Sequence, residues 1–425
     1  MYRDNEIMHA AARKLLCDKP EHFLDPNTNI NADTRNLQVL ALHSSRFILN
    51  LYAEGAAKTM AINSVKSHMR LLTDYNAKTG ILKSSVPSEP ILAVAAGWLL
   101  LSKQEVYKAA MKTLVDEILL SDNIVCLGDK GETLARIILI VTRDATVHAA
   151  GGQLCVVDTS RSTHRITEET ANQGSHLRSA VRPFTLKSFL QNLVNLEGHI
   201  EYDDLQWAEG VHLNFTHFAQ LSNSVDQSVT PEFLVMCWQR GVALQCVHNQ
   251  AIIDALLVGY HGDLSKPFDP QNFVFVVLQF KNRNGATDLT LIQNMTTPFI
   301  KSGPTIWKPD YMAILMDLGT SACFEKKGGE RVQVTKCRAG EGKSWSAFNE
   351  TQELEAVRIS IRGYDPYLSL AQWAPAMLHV RNLKADNNGL STVSHRWEST
   401  LNTFEDVLGM SLENLEARHR KQQKV

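Results

Sequence analysis

"FVFVVLQFKNR", residues 273–283, is the stretch whose reading decides the fold. Successive side chains on a strand alternate between faces. Phe275, Val277, Gln279 and Lys281 therefore share one side, and Val274, Val276, Leu278 and Phe280 share the other. Both sides are apolar as far as Gln279, the pattern of a strand covered on both faces in the middle of an α/β sheet. A lysine emerging from such a strand is costly unless it has a partner.

Its neighbours read as strands too. "VALQCVH" (242–248) alternates, Asn249-Gln250 punctuates it, and "IIDALLVGY" (252–260) follows as the second arm of a hairpin. "YMAILMDLG" (311–319) and "VRISIRG" (357–363) supply further strands. Upstream the period is helical. "GDKGETLARIILIVTRDATV" (128–147), "LKSFLQNLV" (186–194) and "HLNFTHFAQL" (212–221) read as helices. So does "TPEFLVMCWQRG" (230–241), with Thr230-Pro231 as its start and Gly241 as its stop. After one short helix in the first 30 residues, apolar spacing of three and four predicts an all-helical N-terminal region. In it "SEPILAVAAGWLLLS" (88–102) opens on a cap followed by a proline. "YLSLAQWAPAMLHVRNL" (367–383) is helical until Pro375 ends or kinks it.

Asp254 lies inside the apolar run "IIDALLVG", one loop before the strand that carries Gln279 and Lys281. An acid on one strand facing Q-x-K on the next is close to the PD-(D/E)xK pattern of restriction-endonuclease-like nucleases. In that chemistry acidic positions hold a divalent cation against a phosphate, while a lysine orients the attacking water and stabilises charge building on phosphorus. Here Gln279 replaces the second acid. Its amide oxygen can still ligate Mg²⁺, but without charge, so the cation is held more weakly. Glu132 offers a second carboxylate from the preceding helix, and Gln250 a further polar group. The plainer reading is a chance D…QxK with Lys281 snorkelling at a strand end.

The succession "SEPILAVAAGWLL", "GDKGETLARIILIVTRDA", "RPFTLKSFLQNL", "GVHLNFTHFAQL", "RGVALQCVHNQAIIDALLV" and "VFVVLQFKNR" resembles a large family of proteins from mushroom-forming fungi. Its members carry a G-E-x-x-A-R helix, an F-x-H-F stretch and an R-G-x-A-x-Q-C…N-Q…I-D…Q-x-K block in this order. The resemblance covers about residues 10–385 and is most specific from Asp254 to Lys281. That family is similar to Crinkler-type proteins, in which a restriction-endonuclease-like domain often follows a P-loop NTPase domain. The resemblance implies an α/β fold, with a restriction-endonuclease-like mixed sheet flanked by helices and a mainly helical N-terminal region. It implies that Glu132, Asp254, Gln279 and Lys281 occupy the site, with Asp254, Gln279 and Glu132 toward Mg²⁺ or Mn²⁺. The expected partners are DNA or RNA and a P-loop NTPase supplied in trans. An inactive module binding nucleic acid or such a partner is the alternative.

The expected organisation is a helical region over 1–120, a core with a helical insertion over 121–320, and strands, helices and a charged tail over 321–425. At 425 residues, 44% hydrophobic and 21% charged, the chain suits a soluble globular protein. A net charge of -2 gives no overall field that would draw it to nucleic acid. No secretory signal or membrane span is read, and the seven cysteines never form a CxxC pair, which fits reduced thiols inside the cell, in nucleus or cytoplasm.

Weaker features complete the reading. "CRAGEGKSW" (337–345) ends like a phosphate loop but has Cys337 where glycine is required, so it reads as a solvated turn. His217 lies between aromatics and reads as a core histidine. Arg161, His164, Arg165, Arg178, Arg182 and Lys187 make a locally basic segment that either follows a nucleic-acid backbone or is simply solvated.

Overall fold

The opening stretch becomes strand β9 (Phe273–Lys281), inside a nine-stranded, curled mixed sheet. The computed structural model describes residues 5–25, 27–55, 57–119, 127–149, 182–199, 202–222, 224–225, 229–247, 250, 252–282, 290–302, 305–319, 331–337 and 356–382. The chain forms two compact units, 1–383 and 384–425, and the described residues all lie in the first.

The helices are α1 (Asn5–Leu16), α2 (Ala32–Phe47), α3 (Ala57–Ser67), α4 (Pro90–Leu100), α5 (Gln104–Thr113), α6 (Leu127–Ala149), α7 (Leu186–Leu193), α8 (Tyr202–Gly210), α9 (Pro231–Arg240), α10 (Thr290–Gln293) and α11 (Leu368–Trp373). The remaining strands are β1 (Leu51–Ala53), β2 (Leu71–Tyr75), β3 (Leu82–Ser85), β4 (Phe184–Thr185), β5 (Val211–Leu213), β6 (His217–Gln220), β7 (Val242–Gln245), β8 (Ala255–His261), β10 (Ile300–Ser302), β11 (Thr305–Trp307), β12 (Tyr311–Asp317), β13 (Val332–Cys337) and β14 (Ala356–Arg362).

The main path of the large sheet runs β13-β14-β12-β9-β8-β5-β4. β12 lies parallel to both β9 and β14, whereas β8 is antiparallel to β9. One edge of β8 serves two strands. β5 pairs with Gly259 to His261, and β7 pairs with Ala255 and Leu256 and carries β6 in parallel beyond it. The sheet therefore branches at β8.

The alternation read from β9 holds. Val274, Val276, Leu278 and Phe280 join one core with α1, α2, α4, α5, α6, α7 and α11. Phe273, Phe275 and Val277 join a second core under α9. At about 25 cal/mol per Å² of apolar surface removed from water, this two-sided burial is the main term fixing β9 at the centre.

The helix ends follow the local chemistry. The Thr230 side chain accepts the Phe233 N–H at 3.3 Å, Pro231 sits in the first turn of α9, and Gly241 leaves it at φ 64°. α11 ends at Trp373, and a 3₁₀ turn takes over from Pro375. A fully buried clamp ties α2 to α6. Arg46 donates to both Asp144 oxygens at 2.6 and 2.8 Å, Arg143 adds a bond at 2.9 Å, and the Tyr107 hydroxyl one at 2.8 Å. Breaking such a buried cluster by removing one charge costs about 3–5 kcal/mol.

Two expectations are overturned. The N-terminal region is not all helix: β1, β3 and β2 form an antiparallel sheet in that order. Residues 212–221 are not a helix, but the end of β5, a connection and β6.

Candidate active site

The strand β8 begins irregularly. The Asp254 N–H donates to the Leu278 carbonyl at 2.8 Å, yet by register it is Ala255 that lies opposite Leu278. Two residues against one is a β-bulge, which bends a strand and re-aims a side chain. The chain arrives at this bulge through Ile252, whose φ of 75° is a strained value for a β-branched residue. β8 and β9 part here, and the Asp254 side chain fills the break: its Oδ2 accepts the Phe280 N–H at 2.6 Å. The Asp254 carbonyl meanwhile accepts the Cys246 N–H at 2.8 Å. Asp254 thus spans from β7 to β9, abreast of Gln279.

Glu132 arrives from the first turns of α6. Its Oε2 accepts a bond from Gln245 Nε2 at 2.8 Å, so the end of β7 holds it. A Cβ added to Gly131 would stand 2.7 Å from the Asn282 Cβ, so the absent side chain at 131 lets α6 lie against the residue after Lys281. Cys246 lies within the field of both acids. Its buried thiol is pushed up first by burial and then by the charges of Asp254 and Glu132. A thiol so held is inert as a nucleophile. Asp254 is itself raised, by burial above all, against the opposing pull of the Phe280 N–H and the Lys281 ammonium.

Lys281 and Gln279 lie on the face of Val277. Along β12, Leu315 is in register with Gln279 and Asp317 with Lys281, and on β14 Arg362 is in register with Asp317. Lys281, Asp317 and Arg362 form a row across three parallel strand ends. Asp317 is fully buried there. Glu132, Asp254 and Lys281 are each half-buried, while Gln245 and Gln279 are buried.

The donor set suits a hard divalent cation. The charges of Asp254 and Glu132 both reach Cys246, and among the described residues Gln245 Oε1 and Gln279 Oε1 are buried acceptors with no hydrogen-bond partner. They stand on opposite sides of the sheet: Gln279 and Lys281 on the Val277 side, Glu132 and Gln245 on the α6 side, with Asp254 at the bulge between them. Mg²⁺ takes one or two carboxylates with water and substrate oxygens. Among the described residues no group of three or more His, Cys, Asp or Glu gathers to hold a metal, so any such ion relies on these two acids and amide oxygens.

The other sequence candidates fall as follows. His217 is a core histidine, on β6 rather than a helix. It bonds Thr216 Oγ1 at 3.0 Å and Ser88 Oγ at 3.2 Å, and burial first, then the charges of Arg46 and Arg240, lowers its pKa to about 3. Gln250 is engaged with the Val225 N–H at 3.4 Å. In the basic segment Lys187 pairs with Glu209 at 2.8 Å, while Arg161, His164, Arg165 and Arg178 lie outside the described residues. So do residues 338–345 of the phosphate-loop candidate and the charged tail. Sequence reasoning did not pick out Gln245 as the residue holding Glu132, or Asp317 beside Lys281. Each is a polar residue closing an apolar strand, the same signal that singled out Gln279.

No protein-family model, curated protein or solved structure matches the chain. Among the described residues no helix is long and apolar enough to cross a membrane.

Proposed function

We propose that this chain is a restriction-endonuclease-like, divalent-metal-dependent hydrolase of phosphodiesters in DNA or RNA. The observation that carries the reading is Asp254: a carboxylate in the gap between β8 and β9, bonded to the Phe280 N–H and under the field of Lys281. Asp254 and Glu132 would hold Mg²⁺ or Mn²⁺, with Gln279 contributing its amide oxygen. The bound cation supplies Lewis-acid polarisation of a phosphoryl oxygen. Lys281 orients the attacking water, and its ammonium stabilises charge developing on the phosphoryl oxygens. The water oxygen bonds to phosphorus as the phosphorus–oxygen ester bond breaks; a water proton passes to solvent, and the departing sugar oxygen takes a proton from solvent. The direct test is cleavage of labelled DNA and RNA by the purified chain with Mg²⁺ or Mn²⁺. Lys281→Ala abolishes it under this reading, and equal cleavage by that variant overturns the mechanism.

A second reading is supported by the amides at 245 and 279 and by the lack, among the described residues, of any group of three His, Cys, Asp or Glu placed to hold a metal. In it the fold persists as a non-catalytic module that binds nucleic acid or an NTPase partner in trans. Gln279→Glu separates the two. A sharp rise in metal affinity and cleavage identifies a weakened nuclease; no gain, with retained partner binding, identifies the module.

A further inference from the structure

On the Glu132 side of the large sheet lies a pocket of about 190 Å³, between the end of α2, the segment after β3, and β6. Ser44, Ser45, Ser85, Ser88 and Gln220 line it. Ser45 donates to the Leu42 carbonyl, Ser85 to Asn50 Oδ1, and Ser88 bonds His217, so Ser44 and Gln220 are the groups that face a ligand. Room for several waters is also room for one tetrahedral oxyanion.

Its electrostatics favour an anion. Behind Ser44 is Arg70, 3% exposed and held wholly by neutral acceptors. It donates to Ser44 Oγ at 2.9 Å, Ser84 Oγ at 3.1 Å, and the Leu49 and Ser84 carbonyls at 2.7 and 2.8 Å. Burial lowers its pKa to about 9, which leaves it a cation at neutral pH. A buried guanidinium with no acidic partner among the described residues projects its charge into whatever polar space adjoins it. Because Ser44 accepts from Arg70, its own proton is left to donate elsewhere, and an N–H bonded to its oxygen makes it a stronger donor. A second guanidinium, Arg136, donates to the carbonyl of Ile48 in the pocket wall at 3.2 Å. Asp144, the buried acid of this region, is already taken by Arg46 and Arg143.

The pocket is also tied to the candidate centre. Gln220 on β6 is in register with Gln245 on β7, the residue that holds Glu132. Adjacent strands are about 4.8 Å apart. Phe218 and Ala243, in register one step back along the same face, both join the core that contains α2 and α6. Pocket and Glu132 therefore share one face of the sheet.

We infer that this pocket is a phosphate subsite, taking a backbone phosphate that flanks the scissile one on the same nucleic-acid strand. The inference rests on the nuclease reading for the identity of its ligand, and on Arg70, Ser44 and Gln220 for its existence.

Gln220 is exposed, so replacing it tests the pocket with little risk to folding. The full chain is titrated without divalent metal, with inorganic phosphate by calorimetry and with a 5′-labelled single-stranded oligonucleotide by anisotropy. Gln220→Glu weakens both by about tenfold, and Gln220→Lys tightens both. Weakening of phosphate alone means the pocket takes a free anion and overturns the strand subsite. No effect on either ligand, with circular dichroism unchanged, overturns the pocket altogether. Cleavage lost in Lys281→Ala but KM unmoved in Gln220→Glu leaves the nuclease standing and removes the subsite. The reverse pattern, cleavage kept in Lys281→Ala with KM raised in Gln220→Glu, removes the Lys281 mechanism and keeps the subsite.

Discussion

Asp254 and Phe280 are joined by a bond that belongs to neither a loop nor a regular ladder: a carboxylate oxygen takes a strand N–H at 2.6 Å where β8 has turned away. The same carboxylate thus has a structural duty and, on the proposed function, a chemical one. The two separate by substitution. Asp254→Ala leaves the Phe280 N–H buried without an acceptor and costs about 1–3 kcal/mol in urea denaturation. Asp254→Asn keeps an acceptor oxygen, so it retains most of that stability and still loses cleavage. An Asn variant that cuts like the parent removes Asp254 from the metal site.

Burial raises the Asp254 pKa, and cation binding needs the carboxylate ionised. Mn²⁺ affinity should therefore climb with pH through a range above that of an ordinary carboxylate. For folding alone the sign is opposite: a raised carboxyl favours the native state at low pH and gives up that contribution as pH rises through its folded pKa. Titrating Mn²⁺ by calorimetry between about pH 5 and pH 8 checks the first statement. A flat profile sets it aside.

Gly131→Ala sets two effects against each other. Alanine gains about 1 kcal/mol of helix propensity over glycine. The new Cβ, however, would meet the Asn282 Cβ at 2.7 Å, and both are held by their backbones. The clash wins, so α6 is pushed from the end of β9 and, on the proposed function, cleavage falls more than stability. Asn282→Gly in the same chain removes the opposing atom and restores activity; failure of that rescue argues against the close approach.

His43 and His217 are both fully buried, with pKa values lowered to about 3 by burial first. Each is neutral when folded and protonates readily when unfolded, so the stability they support is complete above about 6.5 and drains away as pH falls toward about 3. The loss approaches about 1.4 kcal/mol per pH unit for each histidine. Denaturation at neutral and mildly acid pH measures the slope, and His43→Leu should remove about half of it.

What the sequence made legible was whatever stayed periodic. The two-sided alternation of 273–281, the 242–260 hairpin and the Thr230 and Gly241 boundaries of α9 could all be read in advance. Residues 212–221 misled because Phe215, Thr216, His217 and Phe218 are all buried, so apolar spacing there reflects enclosure rather than a helical face. β1 and β3 are three and four residues long, too short to show a period of two, and β2 exposes Leu71 and Leu72. At the site, Asp254, Gln279 and Lys281 were legible as types in an order. The bulge that turns Asp254 into the sheet gap was not, because Asn249-Gln250-Ala251 signals a turn without fixing how the strand resumes. Gln245's hold on Glu132 was invisible, since a contact between residues so distant leaves no local trace.

That distance has a consequence for the cell. Glu132 and the glutamine that holds it are 113 positions apart, with Asp254 and Lys281 later still. During translation, a ribosome-bound chain that has emerged only through α6 carries Glu132 but neither Gln245, Asp254 nor Lys281. On the proposed function, such a chain would be silent throughout its own synthesis and become competent only when its last central strands have docked.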